Sequence, residues 1–160
     1  MFFVVGAIAR TTGKKHVSEI DGIAARMPIS MAAFTIAALS FVGVPLTAGF
    51  ITKWYLALGA LEADAWWFVL VLIVSALLNA GYFFPIVHRA YFRPAKEPWP
   101  PLEEGRRFET AKTLLFPIVI CAAYVLLLGV TAEVPGMPFS IAQVAVEGFF
   151  AGGGVVPGAP

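Results

Sequence analysis

Few side chains in this sequence can move a proton, and one of them stands where charge is costly. Lys53 is the only Lys, Arg, His, Asp or Glu in the stretch from Pro28 to Leu61, PISMAAFTIAALSFVGVPLTAGFITKWYLALGAL. An ammonium in hydrocarbon costs about 3 kcal/mol on insertion scales, so a lysine there has a partner, water or a task. Burial in a low dielectric disfavours the charged form of an amine, which lets such a group change protonation state. Beside water it can then hand a proton along, and ionisable residues inside membranes recur in proton relays. The plain alternative is that Lys53 snorkels to the interface. It stands nine residues before Glu62, about 13 Å along a helix, which is a long reach.

The other candidates are weaker. His88 is titratable and amphipathic, and can either pass protons at the end of its span or anchor HRAYF at the membrane interface. Ser75, Asn79, Tyr82 and Arg89 recur at helical spacing and share one face. They can bond water beside Lys53, or simply join helices. His16 sits in a polar loop, and Glu62 and Asp64 in a short link read as a solvated turn. Cys121, the single cysteine, reads as a small buried hydrophobe, and one thiol rules out a cysteine-ligated cluster. No redox or hydrolytic site is legible. No catalytic residue, cofactor or metal is expected, and any enzyme status would come from membership of a larger complex.

The element that must position Lys53 is unusual. Gly43, Pro45 and Gly49 fall within seven residues, and proline removes a backbone donor. Broken backbone at membrane depth survives only inside protein or beside a cavity. The stretch has 34 residues. As one straight helix it would be about 51 Å long, against roughly 30 Å of hydrocarbon. The length predicts one discontinuous crossing: a first half to about Phe41, an irregular link over 42–49 and a second half carrying Lys53. The other reading is a pair of tilted or re-entrant helices folded at Pro45.

The whole chain has 160 residues, 59% of them hydrophobic. Its charged share of 13% is about half that of a soluble domain, which predicts an integral membrane protein. A net charge of +1 gives no reason to expect nucleic acid. The start, MFFVVGAIAR, has no basic region ahead of its apolar run, unlike a signal peptide. Residues 1–9 are too short to span and read as the end of a truncated transmembrane helix. Then follow a cytoplasmic loop over 10–27, the broken span 28–62, a span 66–92, a loop 93–109 and a span 110–131. An outer-side tail over 132–160 has room for an interfacial helix at 138–150. Ten of the eleven Lys and Arg residues lie in 10–26 and 89–112, while 62–64 and the tail beyond 131 carry only acids. The positive-inside rule puts the basic loops in the cytoplasm and the C-terminus outside. This requires an odd number of crossings between Arg26 and Glu62, in favour of one broken helix.

The run GVPLTAGFITKWYL, followed by SALLNAGYFFPIVHRAYF, closely resembles the proton-conducting membrane subunits of NADH–quinone oxidoreductase (L, M and N). It also resembles their relatives in multisubunit cation/proton antiporters of the Mrp type and in membrane-bound hydrogenases. The resemblance covers roughly Val4 to Thr131. It implies an all-α polytopic bundle, the C-terminal part of a fourteen-helix subunit, with Lys53 as the central lysine of the second broken helix. It implies a proton-relay role, lipid and other membrane subunits as partners, protons as cargo with sodium as a further candidate, and residence in the inner membrane. KWYLALGAL and SALLNAGYF look nearest to the D-type membrane protein of the Mrp antiporters, with a respiratory subunit as the alternative. The family's first repeat has no counterpart here, so a packing or assembly subunit without its own conduction stays open.

Overall fold

The computed structural model describes residues 1–14, 16–95, 99 and 112–131. Among these the chain is all-α, as its composition requires: α1 (Phe2–Thr12), a 3-10 turn (Val17–Glu19), α2 (Ile23–Arg26), α3 (Pro28–Val42), α4 (Ala48–Glu62), α5 (Trp66–Phe92) and α6 (Lys112–Val130). The expected loop from residue 96 to 109, apart from Trp99, the start of the last span at 110–111, and the tail with its helix at 138–150 lie outside the described residues.

Helix α1 ends where Gly13 turns left-handed, with φ 72°, and gives its N–H to the Ala9 carbonyl. The polar stretch that follows, which the sequence reads as a loop, is more ordered than its composition suggests. The His16 N–H donates to the Glu19 carboxylate at 3.1 Å, closing the 3-10 turn. Asp21 is 3% exposed. Its carboxylate lies 3.7 Å from the Arg89 guanidinium, and the Gly22 N–H donates to the Arg89 carbonyl at 3.1 Å. Gly22 has φ +73°, and a Cβ there would sit 2.9 Å from the Ala95 nitrogen. Only glycine fits both the conformation and the space. This turn therefore ties the approach to α3 onto the C-terminal end of α5.

Pro28 opens α3, where its missing N–H has no helical partner to lose. The helix packs against both α5 and α6, and α4 does the same. The core gathers Val4, Ala7 and Ile8 of α1, Ile23, Met27, Met31 and Phe34 around α2 and α3, Ala90 of α5, and Ile118 and Ala122 of α6. Helices α5 and α6 are long and apolar enough to cross a membrane, whereas α1 and α3 are apolar but shorter. Leu70, Leu77, Leu78 and Phe84 of α5 and Phe116 of α6 are exposed, a surface suited to lipid or to other membrane helices. Pro85 and Pro117 lie within α5 and α6 without ending them.

Candidate functional site

The break between α3 and α4 is built by its own backbone. Gly43, at φ +91°, ends α3; its N–H and that of Val44 both donate to the Leu39 carbonyl. Leu46 holds a positive φ of 73°, a conformation that strains a residue with a side chain. The Thr47 hydroxyl, in a residue only 3% exposed, donates to the Val44 carbonyl at 2.7 Å. Helix α4 then starts beside the last turn of α3. The Gly49 N–H donates to the Ser40 hydroxyl at 3.1 Å, and a Cβ at Gly49 would strike the Ser40 carbonyl. The two half-helices overlap side by side because this position has no side chain.

The overlap places Lys53 at the end of α3. Its Nζ donates to the Phe41 carbonyl at 2.7 Å and to the Val42 carbonyl at 3.0 Å. These are among the last carbonyls of a helix, which lack intrahelical partners and carry the negative end of its dipole. The half-buried lysine is thus a cationic cap on the half-helix that precedes it. Its stem lies over Gly43, with Cδ 3.0 Å from where a Cβ would be. Asn79 of α5 also donates to the Phe41 carbonyl, at 3.5 Å.

Lys53, Gly43, Gly49 and Asn79 therefore meet around the end of α3. Pro45 lies exposed within the link. Tyr82 is 65% exposed, its ring edge-on to Phe83, and both line a cavity of about 430 Å³ that Phe41 also borders. Lys14 and His16 stand at another part of that cavity. Ser75 is exposed. His88 is exposed too, stacked on Phe84 and Phe92 along α5 with centroids at 6.5 and 5.3 Å. Arg89, grouped with Asn79 by spacing, turns instead to Asp21. Ser40 and Gly129 also belong to the site, and sequence reasoning did not single them out. Gly129 of α6 is buried, and a Cβ there would strike the Leu46 carbonyl and stand 2.6 Å from the Thr47 carbonyl carbon. LLLGVT carries no local signal for that role, which depends on what a distant segment brings against it.

Known proteins resemble this chain over most of its length. The family described as "NADH:quinone oxidoreductase/Mrp antiporter, TM" matches residues 1–79. The NADH-quinone oxidoreductase subunit N of Desulforudis audaxviator is 44% identical over 140 residues, 83% of this chain and 28% of that protein. The subunit N of Paenibacillus sp. is 37% identical over 129 residues, 81% of this chain and 24% of that protein. That of Trichlorobacter lovleyi is 29% identical over 153 residues, 91% of this chain and 30% of the relative. The chain thus spans 24–30% of the length of these relatives. All three carry the respiratory name, whereas the expectation drawn from KWYLALGAL and SALLNAGYF is a D-type antiporter protein. No solved structure matches the chain significantly. The chain belongs to the family of integral membrane subunits shared by NADH–quinone oxidoreductases and Mrp antiporters.

Proposed function

We propose that this chain forms part of a proton-translocating subunit of an NADH–quinone oxidoreductase, akin to subunit N, with Lys53 as its relay residue. The observation that carries the reading is the pair of bonds from Lys53 Nζ to the Phe41 and Val42 carbonyls at the helix break. Protonated, the ammonium is held by two acceptors and by the dipole of α3. Deprotonated, the amine loses the charge that attracts it and gains a lone pair that can accept a proton. Charge and position of the side chain then change together. The Asn79 amide keeps the Phe41 carbonyl partnered when the lysine leaves. In the whole subunit Lys53 takes its proton from preceding helices and releases it when a nearby charge rearranges, since Coulomb effects are strong in a low dielectric. The basic loops face the cytoplasm, and residues 62–65 and the C-terminus face outward.

The same bonds favour a second reading, in which Lys53 only caps α3 and the chain is a packing element. Hydrogen bonds to a charged group contribute roughly 1.5–3 kcal/mol each, enough for a purely structural role. Residue types alone do not reveal that Lys53 has main-chain partners. With two carbonyls in its care, Lys53→Ala affects the helix end as well, and by itself does not separate the readings. Lys53→Arg does. A guanidinium still donates to both carbonyls but stays protonated at any working pH. The test is proton translocation in inverted membrane vesicles carrying the full complex, with NADH oxidation and assembly measured alongside. A relay predicts an assembled Lys53→Arg complex with lost translocation, and partial activity in Lys53→Glu, because a carboxylate titrates. Translocation by Lys53→Arg at the wild-type rate would leave the cap as the whole role.

A further inference from the structure

From the contact between Gly129 and the Leu46–Thr47 peptide we infer that Gly129 is a positioning residue for the Lys53 relay, which makes α6 the helix that sets the geometry of the break. The inference rests on the relay reading. Three observations carry it. First, Gly129 is buried, and its missing side chain leaves the space that the Leu46–Thr47 peptide occupies; an added Cβ would overlap the Leu46 carbonyl and come 2.5 Å from its carbon. Second, Leu46 holds φ +73°. A non-glycine residue keeps that conformation only when its surroundings impose it. Leu46 is 67% exposed, so its side chain is not what imposes it; the peptide seated on α6 is. Third, five residues upstream of Leu46 is Phe41, whose carbonyl receives Lys53, and three residues downstream is Gly49, whose amide is held by Ser40. A shift of the Leu46–Thr47 peptide moves the end of α3 against the start of α4. That changes how the Phe41 and Val42 carbonyls face the ammonium.

The glycines of this chain supply a built-in comparison. A Cβ on Gly81 or Gly59 meets nothing within 4 Å, although both lie in helices of the same membrane region. Gly129→Ala and Gly81→Ala thus add the same methyl to helices that both touch the broken segment, and only the first pushes on the break.

The experiment uses the full complex in membrane vesicles and reads two quantities: amide hydrogen exchange over residues 43–50, and protons translocated per NADH oxidised. In Gly129→Ala, exchange over 43–50 should quicken. The proton yield should fall, by at most the share of the protons that this one subunit carries, because displaced groups slow the proton transfer through it. Gly81→Ala should leave both as in the wild type. Adding Leu46→Gly to Gly129→Ala lets the peptide swing away from the new methyl and should restore most of the proton yield, which general destabilisation would not allow. If Gly129→Ala alone fails to assemble, the double variant should assemble, and failure of both overturns the inference. Unchanged exchange in Gly129→Ala, or quickened exchange with an unchanged proton yield, overturns it as well. The relay reading itself fails on a different result, wild-type translocation by Lys53→Arg.

Discussion

Lys53 and Asp21 show two ways of keeping charge inside an apolar bundle. Lys53 uses main-chain carbonyls as its counter-charge, so no acidic residue has to be spent at membrane depth. Asp21, 3% exposed, uses Arg89, whose side chain is 30% exposed. Removing one partner of a buried pair strands the other, while removing both is far milder. Asp21→Asn should lower the melting temperature of the detergent-solubilised complex, by the equivalent of about 1–3 kcal/mol. Asp21→Asn combined with Arg89→Gln should be less destabilised than the sum of the single variants. Strict additivity would mean that the 3.7 Å approach contributes nothing. Lys53 stood out in the sequence because a lone charge in an apolar run needs an explanation. Its partners did not, because backbone carbonyls leave no trace in residue types. Asp21 gave no signal either, sitting in a stretch whose composition reads as solvated.

At the level of elements, glycine does much of the positioning, but its sequence signal is uneven. Gly43 and Gly49, clustered around Pro45, announce a broken helix, and the half-helices α3 and α4 end and begin at those positions. Gly22 and Gly129 carry equal structural weight with no cluster around them. For Gly22 the reason appears only when the turn meets Arg93 and Ala95 at the end of α5. Gly22→Ala should therefore destabilise, by about 1–2 kcal/mol from the left-handed conformation alone, with more from the contact with the Ala95 nitrogen. Gly59→Ala, in the last turn of α4 where a Cβ meets nothing within 4 Å, should instead stabilise slightly, by up to about 1 kcal/mol. Thermal unfolding of the two variants in the same detergent checks the contrast. Equal effects would mean that the docked turn is not held as described. The periodic grouping of Ser75, Asn79, Tyr82 and Arg89 was also only partly informative. Helical spacing says which residues share a face, but only tertiary packing says how far along that face a neighbour extends. Asn79 reaches α3, while Ser75 and Tyr82 remain exposed.

At the scale of the molecule, charge asymmetry predicts an orientation that can be measured. His16 and Glu62 are both exposed and flank the broken segment. In a background with exposed Cys121 replaced by alanine, a membrane-impermeant maleimide should label Glu62→Cys in intact cells. His16→Cys should react only after permeabilisation. The reverse pattern would invert the orientation, and labelling of both from one side would mean that α3 and α4 form a hairpin. The all-helical, membrane-embedded character of the chain was plain from composition, because 59% hydrophobic residues leave no other place for its surface.

The seat of the Leu46–Thr47 peptide on Gly129 also bears on how the chain is made. The two sites are some 83 residues apart in sequence, so the ribosome finishes the break well before it makes the surface that shelters it. At ordinary elongation rates of about 5–20 residues per second, the interval is on the order of ten seconds. During that time the Leu46–Thr47 peptide lacks the α6 surface that shelters it, and lipid offers exposed main chain no partners. The segment therefore needs other shelter until α6 is made. The residue inferred to position the break is thus also the one whose late synthesis completes its shelter.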